Sequence, residues 1–216
     1  EGTVSSVYFP ERDAVKLVST PTSDIFDTEI TDPVKVSFYN GSKVIDALSH
    51  FNGDVQGKIK YSEIDGELMA SDFTLANDDL QINLACADPS LSFMEMSKEE
   101  TDRAFGTEGS IFQFDLLTTH VDKMKSLFNL EREEDTFTLA VNDKGVAVQG
   151  LSYDATLAHT YEGEGVEGQK VVIYKKYINL LDKENYKVIV CSNKVVFKSL
   201  DTNTHLTVAV AITDED

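Results

Sequence analysis

Residues 111–162 read IFQFDLLTTHVDKMKSLFNLEREEDTFTLAVNDKGVAVQGLSYDATLAHTYE. The hydrophobic period changes twice within this stretch. Residues 111–114 form a short apolar alternation. Leu117, Val121, Met124 and Phe128 then recur at helical spacing, which predicts a helix over 116–130. Alternation returns over 136–142, 145–153 and 155–162, which predicts three strands. The order is strand, helix, strand, strand, strand.

The same order occurs twice more. Residues 35–39 predict a strand, and 41–51 (GSKVIDALSHF) place Val44, Leu48 and Phe51 at i, i+4 and i+7 of a helix. Asn40 and Ser42 suit its N-cap, and Asn52-Gly53 suits its end. Strands follow at 58–63, 66–73 and 80–86. A third copy has a strand at 170–174, a short helix at 175–181 and strands at 186–192, 195–200 and 205–212. The strands predicted at 4–11, 13–19 and 24–30 match the last three of a fourth copy that lacks its first strand and helix. Repetition at this period governs the choice of fold. It predicts an α+β chain of two similar domains, 1–86 and 111–216, each built from two β-α-β-β-β units. Residues 87–110, with Pro89 and mixed charge, lose all alternation and read as the connector.

Composition narrows the function. Of 216 residues, 41% are hydrophobic and 26% charged, as in a soluble globular chain. Acidic residues outnumber basic ones 38 to 19, for a net charge of −19. Such a chain repels polyanions at long range, so any DNA contact is local or enforced by shape. Cys86 and Cys191 form no disulfide framework or metal set and read as reduced thiols in strands. No apolar run reaches the ~20 residues of a membrane helix, and no signal or lipidation motif occurs. The expected address is cytoplasmic, with no membrane partner. No phosphate-binding, dinucleotide, zinc-protease, serine-hydrolase or CxxC motif is present, and the four histidines lack metal-site spacing. The acidic turn Glu131, Glu133, Glu134, Asp135 reads as a solvated loop, and Glu162-Gly163-Glu164-Gly165 would repel phosphate rather than cradle it. No enzymatic role, cofactor or metal is expected.

Three local segments resemble one family. Ala87-Asp88-Pro89-Ser90 follows the last strand of the first domain, Asn185-Tyr186-Lys187 opens a strand after the second helix of the second domain, and FYNGSKVIDALSHF spans 38–51. With the order and spacing of the repeat, they resemble DNA polymerase sliding clamps of the PCNA type, in particular those of T4-like bacteriophages, over residues 4–212. The resemblance implies a sliding-clamp (processivity) fold with helices on the inner face and antiparallel sheets outside. It implies a strand and a helix ahead of Val4. It also implies a homotrimeric ring that encircles duplex DNA non-specifically, tethers the replicative DNA polymerase, is opened by a clamp loader and works in the host cytoplasm if viral.

The helices carry the polar face such a channel needs. Lys123 and Lys125 lie opposite the apolar stripe of the helix at 116–130, Lys175 and Lys176 on the helix at 175–181, and Lys43 and His50 on the helix at 41–51. Contacts there go to phosphate, not base edges. The resemblance places a subunit contact between strand 80–86 (Leu80, Ile82, Leu84) and strand 155–161 (Ala155, Leu157, His159, Tyr161) of a neighbour. It also places a partner-peptide pocket at Leu91, Phe93 and Met94 of the connector with Val210 and Ile212. The alternatives are a β-rich viral structural or adhesion oligomer with no DNA role, and more weakly a β-rich hydrolase. The basic helix faces speak against the first.

Overall fold

The computed structural model describes residues 3–11, 13–21, 23, 34–88 and 96–211. The predicted strand at 24–30 lies outside them. In chain order the elements are β1 (Thr3–Glu11), β2 (Ala14–Pro21), β3 (Val34–Lys35), α1 (Gly41–Ser49), β4 (Gln56–Ile64), β5 (Glu67–Ala76), β6 (Gln81–Ala85), α2 (Lys98–Phe105), β7 (Ser110–Leu116), α3 (Thr118–Phe128), β8 (Thr136–Asn142), β9 (Gly145–Gln149), β10 (Asp154–Ala158), β11 (Lys170–Tyr174), a 3₁₀ helix (Lys175–Leu180), β12 (Tyr186–Cys191), β13 (Lys194–Ser199) and β14 (Asn203–Ala209). They gather into two compact units. Of the described residues, one holds 3–11, 13–21 and 23 with 96–211, the other 34–88.

In the larger unit two sheets share one core. The six-stranded sheet runs β1-β2-β14-β13-β12-β7, and the four-stranded sheet β10-β9-β8-β11. Each repeat gives its first strand to the other. β7 pairs with β12, and β11 pairs with β8, both antiparallel. The two copies are therefore interlocked rather than stacked side by side. Phe112, Phe114, Val121, Met124, Phe137, Ile173, Ile178, Tyr186, Val188 and Phe197 meet in the core between the sheets. Fully burying each of the aliphatic or phenylalanine side chains contributes about 1.5–3 kcal/mol.

The N-terminal hairpin β1–β2, expected inside a domain of 1–86, is hydrogen-bonded to β14 over Asn203↔Ser19 to Val208↔Ala14. Ala14 joins the main core, and Lys16 reaches across to Asp182 Oδ2 at 2.6 Å. Two further expectations are corrected. The helix at 175–181 is a single 3₁₀ run, too short to become a regular α-helix. The stretch 87–110 is not all connector, because Ser97 caps α2. Ser97 Oγ accepts from Glu100 N, and Glu100 Oε2 accepts from Ser97 N, a complete capping box.

β12 and β13 are apolar on both faces, the pattern of a sheet covered on each side. Val188, Val190, Val195 and Phe197 face the main core. Ile189, Cys191 and Val196 face the other way and pack with Phe105 of α2.

The smaller unit is a three-stranded antiparallel ribbon, β4-β5-β6, with two residues of β3 running parallel to β5. The strand predicted at 35–39 shrinks to β3 and a single bridge, Phe38↔Cys86. Asn40 caps α1 through Oδ1, which accepts from Ser42 N at 3.0 Å. On α1, Ala47 is buried and Val44 half-buried, but Leu48, expected on the apolar stripe, is exposed.

Candidate nucleic-acid interface

α3 forms because its apolar positions find the core between the two sheets. Val121 and Met124 are buried, and Leu127 and Phe128 pack against them. Leu117, read as part of that stripe, is instead the exposed N-cap residue, where the chain is still extended. The opposite face holds Thr119, Asp122, Lys123 and Ser126, all exposed, whereas Lys125, expected on that face too, is half-buried. His120 Nδ1 accepts from Leu117 N at 3.3 Å. Burial, and then the charges of Lys123 and His159, push the His120 pKa down.

Lys125 is half-buried and borders a depression of about 600 Å³ between the end of α3 and the 3₁₀ helix. Arg132, Lys175 and Lys176 line the same depression, together with the acidic Glu131, Glu134 and Asp135. Lys175 and Lys176 are held by aromatic rings. The Lys175 ammonium lies 5.5 Å from the Phe128 centroid and donates to Glu131 O at 2.7 Å. The Lys176 ammonium lies 5.5 Å from the Tyr174 centroid and 5.3 Å from that of Tyr177. Thus Lys125, Lys175 and Lys176 come together, and Lys123 stands on the exposed face of the same helix as Lys125. Lys175 is turned inward by its bond to Glu131.

Glu131, read as part of a solvated turn, is buried. Its carboxylate accepts the backbone N–H of Ser152, and hydrogen bonding from the Ser152 side chain, then from backbone N–H groups of the same loop, holds its pKa below the usual carboxylate range. Burial, reinforced by the Glu131 charge, pushes the neighbouring Tyr153 hydroxyl up to about 12. Glu131 thereby ties the loop after β9 to the segment that carries Lys175.

Lys43 and His50 are exposed on and just after α1 in the smaller unit. Of the predicted contact strands, β6 half-buries Ile82 and Leu84, and Leu80, just ahead of it, is exposed. β10 half-buries Ala155 and Tyr161 lies beyond its end, while His159 is exposed. Leu157 is committed to the core at 6% exposure, leaving β10 its backbone edge rather than this side chain to offer a neighbour. Among the described residues β10 pairs only with β9. Leu91, Phe93, Met94 and Ile212 lie outside the described residues. Val210 is half-buried against the main core, and its N–H donates to Asn193 O at 3.2 Å.

No protein-family model matches this chain, and no curated protein matches it. Solved structures do. A DNA polymerase III beta chain from Streptococcus pneumoniae matches with a TM-score of 0.67 and 11% identity over 98% of this chain and 54% of its own. The PCNA2–PCNA3 complex of Sulfolobus tokodaii matches with a TM-score of 0.59 and 12% identity over 96% of this chain and 85% of that one. PCNA from A. fulgidus, solved with the C-terminal region of FEN-1 bound, gives 0.54 and 11% over 95% and 84%. The chain spans about half the length of the bacterial beta chains it matches. The fold is that of the sliding clamps. At this identity the likeness defines architecture, and the chain's role rests on its own residues.

Proposed function

We propose that the chain is a sliding clamp that encircles duplex DNA as a homotrimer and tethers a DNA polymerase, placed on the DNA by a clamp loader. The observation that carries the reading is the clamp fold along nearly the whole chain. The structures that share it are named as a polymerase beta chain and as PCNA. The two similar domains read from the sequence repeat favour three subunits to a ring of six domains. The local segments at 38–51, 87–90 and 185–187 favour the clamps of T4-like bacteriophages.

Lys123, Lys125 and Lys176 supply the phosphate contacts, with Lys43 and His50 from the smaller unit. In a chain of net charge −19 these contacts need not be tight, because retention is topological. The open edges of β6 and β10 form the subunit contact by strand addition. The role is that of a non-catalytic scaffold. Light scattering on a sizing column tests the assembly. A mass of three subunits is expected across the micromolar range, and a dimer or tetramer at every concentration would overturn the trimer.

A further inference from the structure

The chain that leaves β10 changes sheets. β10 pairs with β9 as far as Ala158↔Val146, with a register shift between Thr156 and Ala158 of the kind that bends a strand. Beyond its end the same chain is bridged to β7 of the six-stranded sheet, at Gln113↔Glu162. Glu162 N donates to Gln113 O at 2.8 Å, and Gln113 N donates to Glu162 O at 2.9 Å. The side chains repeat the bridge, because Gln113 Nε2 donates to Glu162 Oε2. Gly163 then holds φ +153°, and a Cβ there would lie 2.9 Å from Ile111 O, so glycine lets the chain pass this close to β7.

Lys187 fastens the bridge. It stands on β12 opposite Asp115 of β7. Its ammonium lies 2.8 Å from Glu162 Oε1 and 3.5 Å from Asp115 Oδ1. Hydrogen bonds from Lys187, then from Gln113, hold the Glu162 carboxyl below the usual carboxylate range, and the bond to Glu162 raises the Lys187 pKa in turn. The segment Asn185-Tyr186-Lys187, singled out in the sequence, thus has three separate anchors. Asn185 Oδ1 accepts from Thr118 N at the start of α3, Tyr186 Oη accepts from Asp182 N, and Lys187 takes hold of the chain beyond β10.

The backbone shows what this clasp limits. Both main-chain groups of Glu162 are taken up by Gln113, so an added strand finds no partner there. At the other end, the turn before β10 is closed by Gly150 N donating to Tyr153 O at 2.9 Å. The edge that can meet a neighbour is therefore bounded to residues 154–161, and among the described residues no strand other than β9 pairs with it. An edge with fixed ends restricts the register that an added strand can take.

We propose that Lys187 is a positioning residue for the contact between subunits: through Glu162 it clasps the chain after β10 to β7 and so fixes the length and register of the edge offered to a second copy of this chain. The proposal rests on the strand-addition contact of the clamp reading. Without the clasp, residues 159–163 have to be ordered as the neighbour docks, and that ordering weakens the contact.

The test compares the wild type with Lys187→Met and Lys187→Arg by sedimentation velocity over a concentration series. A solvent-accessible ion pair is modest, so Lys187→Met should move the trimer-to-monomer transition to about fivefold higher concentration. Lys187→Arg keeps the charge and should restore the wild-type transition. Glu162→Gln, at the surface, should reproduce the effect should the methionine variant fail to fold. Hydrogen exchange on dilute monomers reads the clasp without assembly. The Glu162 and Gln113 N–H groups should exchange about fivefold faster in Lys187→Met, with Val188 and Val190 unchanged. A wild-type trimer whose transition is matched by the methionine and glutamine variants, or unchanged exchange at Glu162, would overturn the proposal and leave the clamp reading standing. A wild-type chain that is monomeric throughout would overturn the clamp reading and this proposal with it.

Discussion

A proline at position 83 separates the subunit contact from the fold of the subunit. Cys86 N donates to Ser71 O and Asn77 N to Leu80 O, each at 2.9 Å. With Phe73↔Leu84 and Leu75↔Ile82 in register, the even-numbered residues of β6 face β5. By the two-residue period of a strand, the N–H groups of Gln81 and Asn83 point to the open edge. That edge is met further along, where Ala87 N donates to Ser37 O at 2.8 Å, but not at 83 among the described residues. Asn83→Pro therefore removes an outward donor and leaves the β5 ladder intact. The losses inside the subunit are two exposed bonds to Asn83 Oδ1, from Thr74 Oγ1 at 2.9 Å and from Gln81 Nε2 at 3.3 Å, which Asn83→Ala controls for.

In the assembled ring the facing carbonyl of the neighbour would lose its partner, at about 1–3 kcal/mol. That weakens each contact about 5- to 150-fold. Sedimentation velocity over a concentration series, with thermal unfolding of each variant, reads both consequences. Asn83→Pro should move the trimer-to-monomer transition to higher concentration and leave the melting temperature of Asn83→Ala unchanged. A folded proline variant that stays trimeric at every concentration where the wild type does would refute the strand-addition contact.

Three further outcomes follow from named groups. Reversing Lys123 and Lys125 to glutamate should lower primer-extension processivity while leaving the oligomer mass unchanged; undiminished product lengths would remove these lysines from the DNA path. Gly145 has φ +120°, and a Cβ there would lie 2.1 Å from Ala158 O. Gly145→Ala should therefore cost more than the ~1 kcal/mol of a positive-φ position alone and should displace β10, read as a lower denaturation midpoint and a weaker oligomer. His205 is half-buried beside Phe105, its Nδ1 has no hydrogen-bond partner among the described residues, and burial lowers its pKa from the ordinary 6.5. The unfolded chain then binds the extra proton, so stability should fall as pH drops below about 6.5, and His205→Gln should flatten that acid-side loss in thermal melts at pH 5 to 7.

The sequence disclosed the parts of the fold that are local. The helical spacing of Val121 and Met124 yields α3, and the alternations at 136–142 and 170–174 yield β8 and β11 with the same bounds. What it did not disclose is non-local. Nothing in β7 or β11 says that each pairs with the other repeat, and nothing in 14–21 says that it continues the sheet beyond β14, because these partners are set by packing across long separations. α2 was masked by its charge, since a helix that buries one phenylalanine shows no stripe. Its Ser97-x-x-Glu100 capping box and the two-faced apolar runs 188–190 and 195–197 were the available signals. At the site, the lysines could be listed from the sequence but not their postures. Lys175 turns inward to Glu131 and Phe128, whereas Lys123 remains exposed, and only the packed structure distinguishes them.

The central claim is encirclement, and topology tests it most directly. The chain should be loaded by its cognate loader onto a nicked circular duplex, gel-filtered in high salt, and the DNA then cut once with a restriction enzyme. A closed ring should co-elute with the circle despite the screening of every phosphate contact and should be lost on linearisation. Release from the intact circle in high salt, or retention on the linear product, would contradict it.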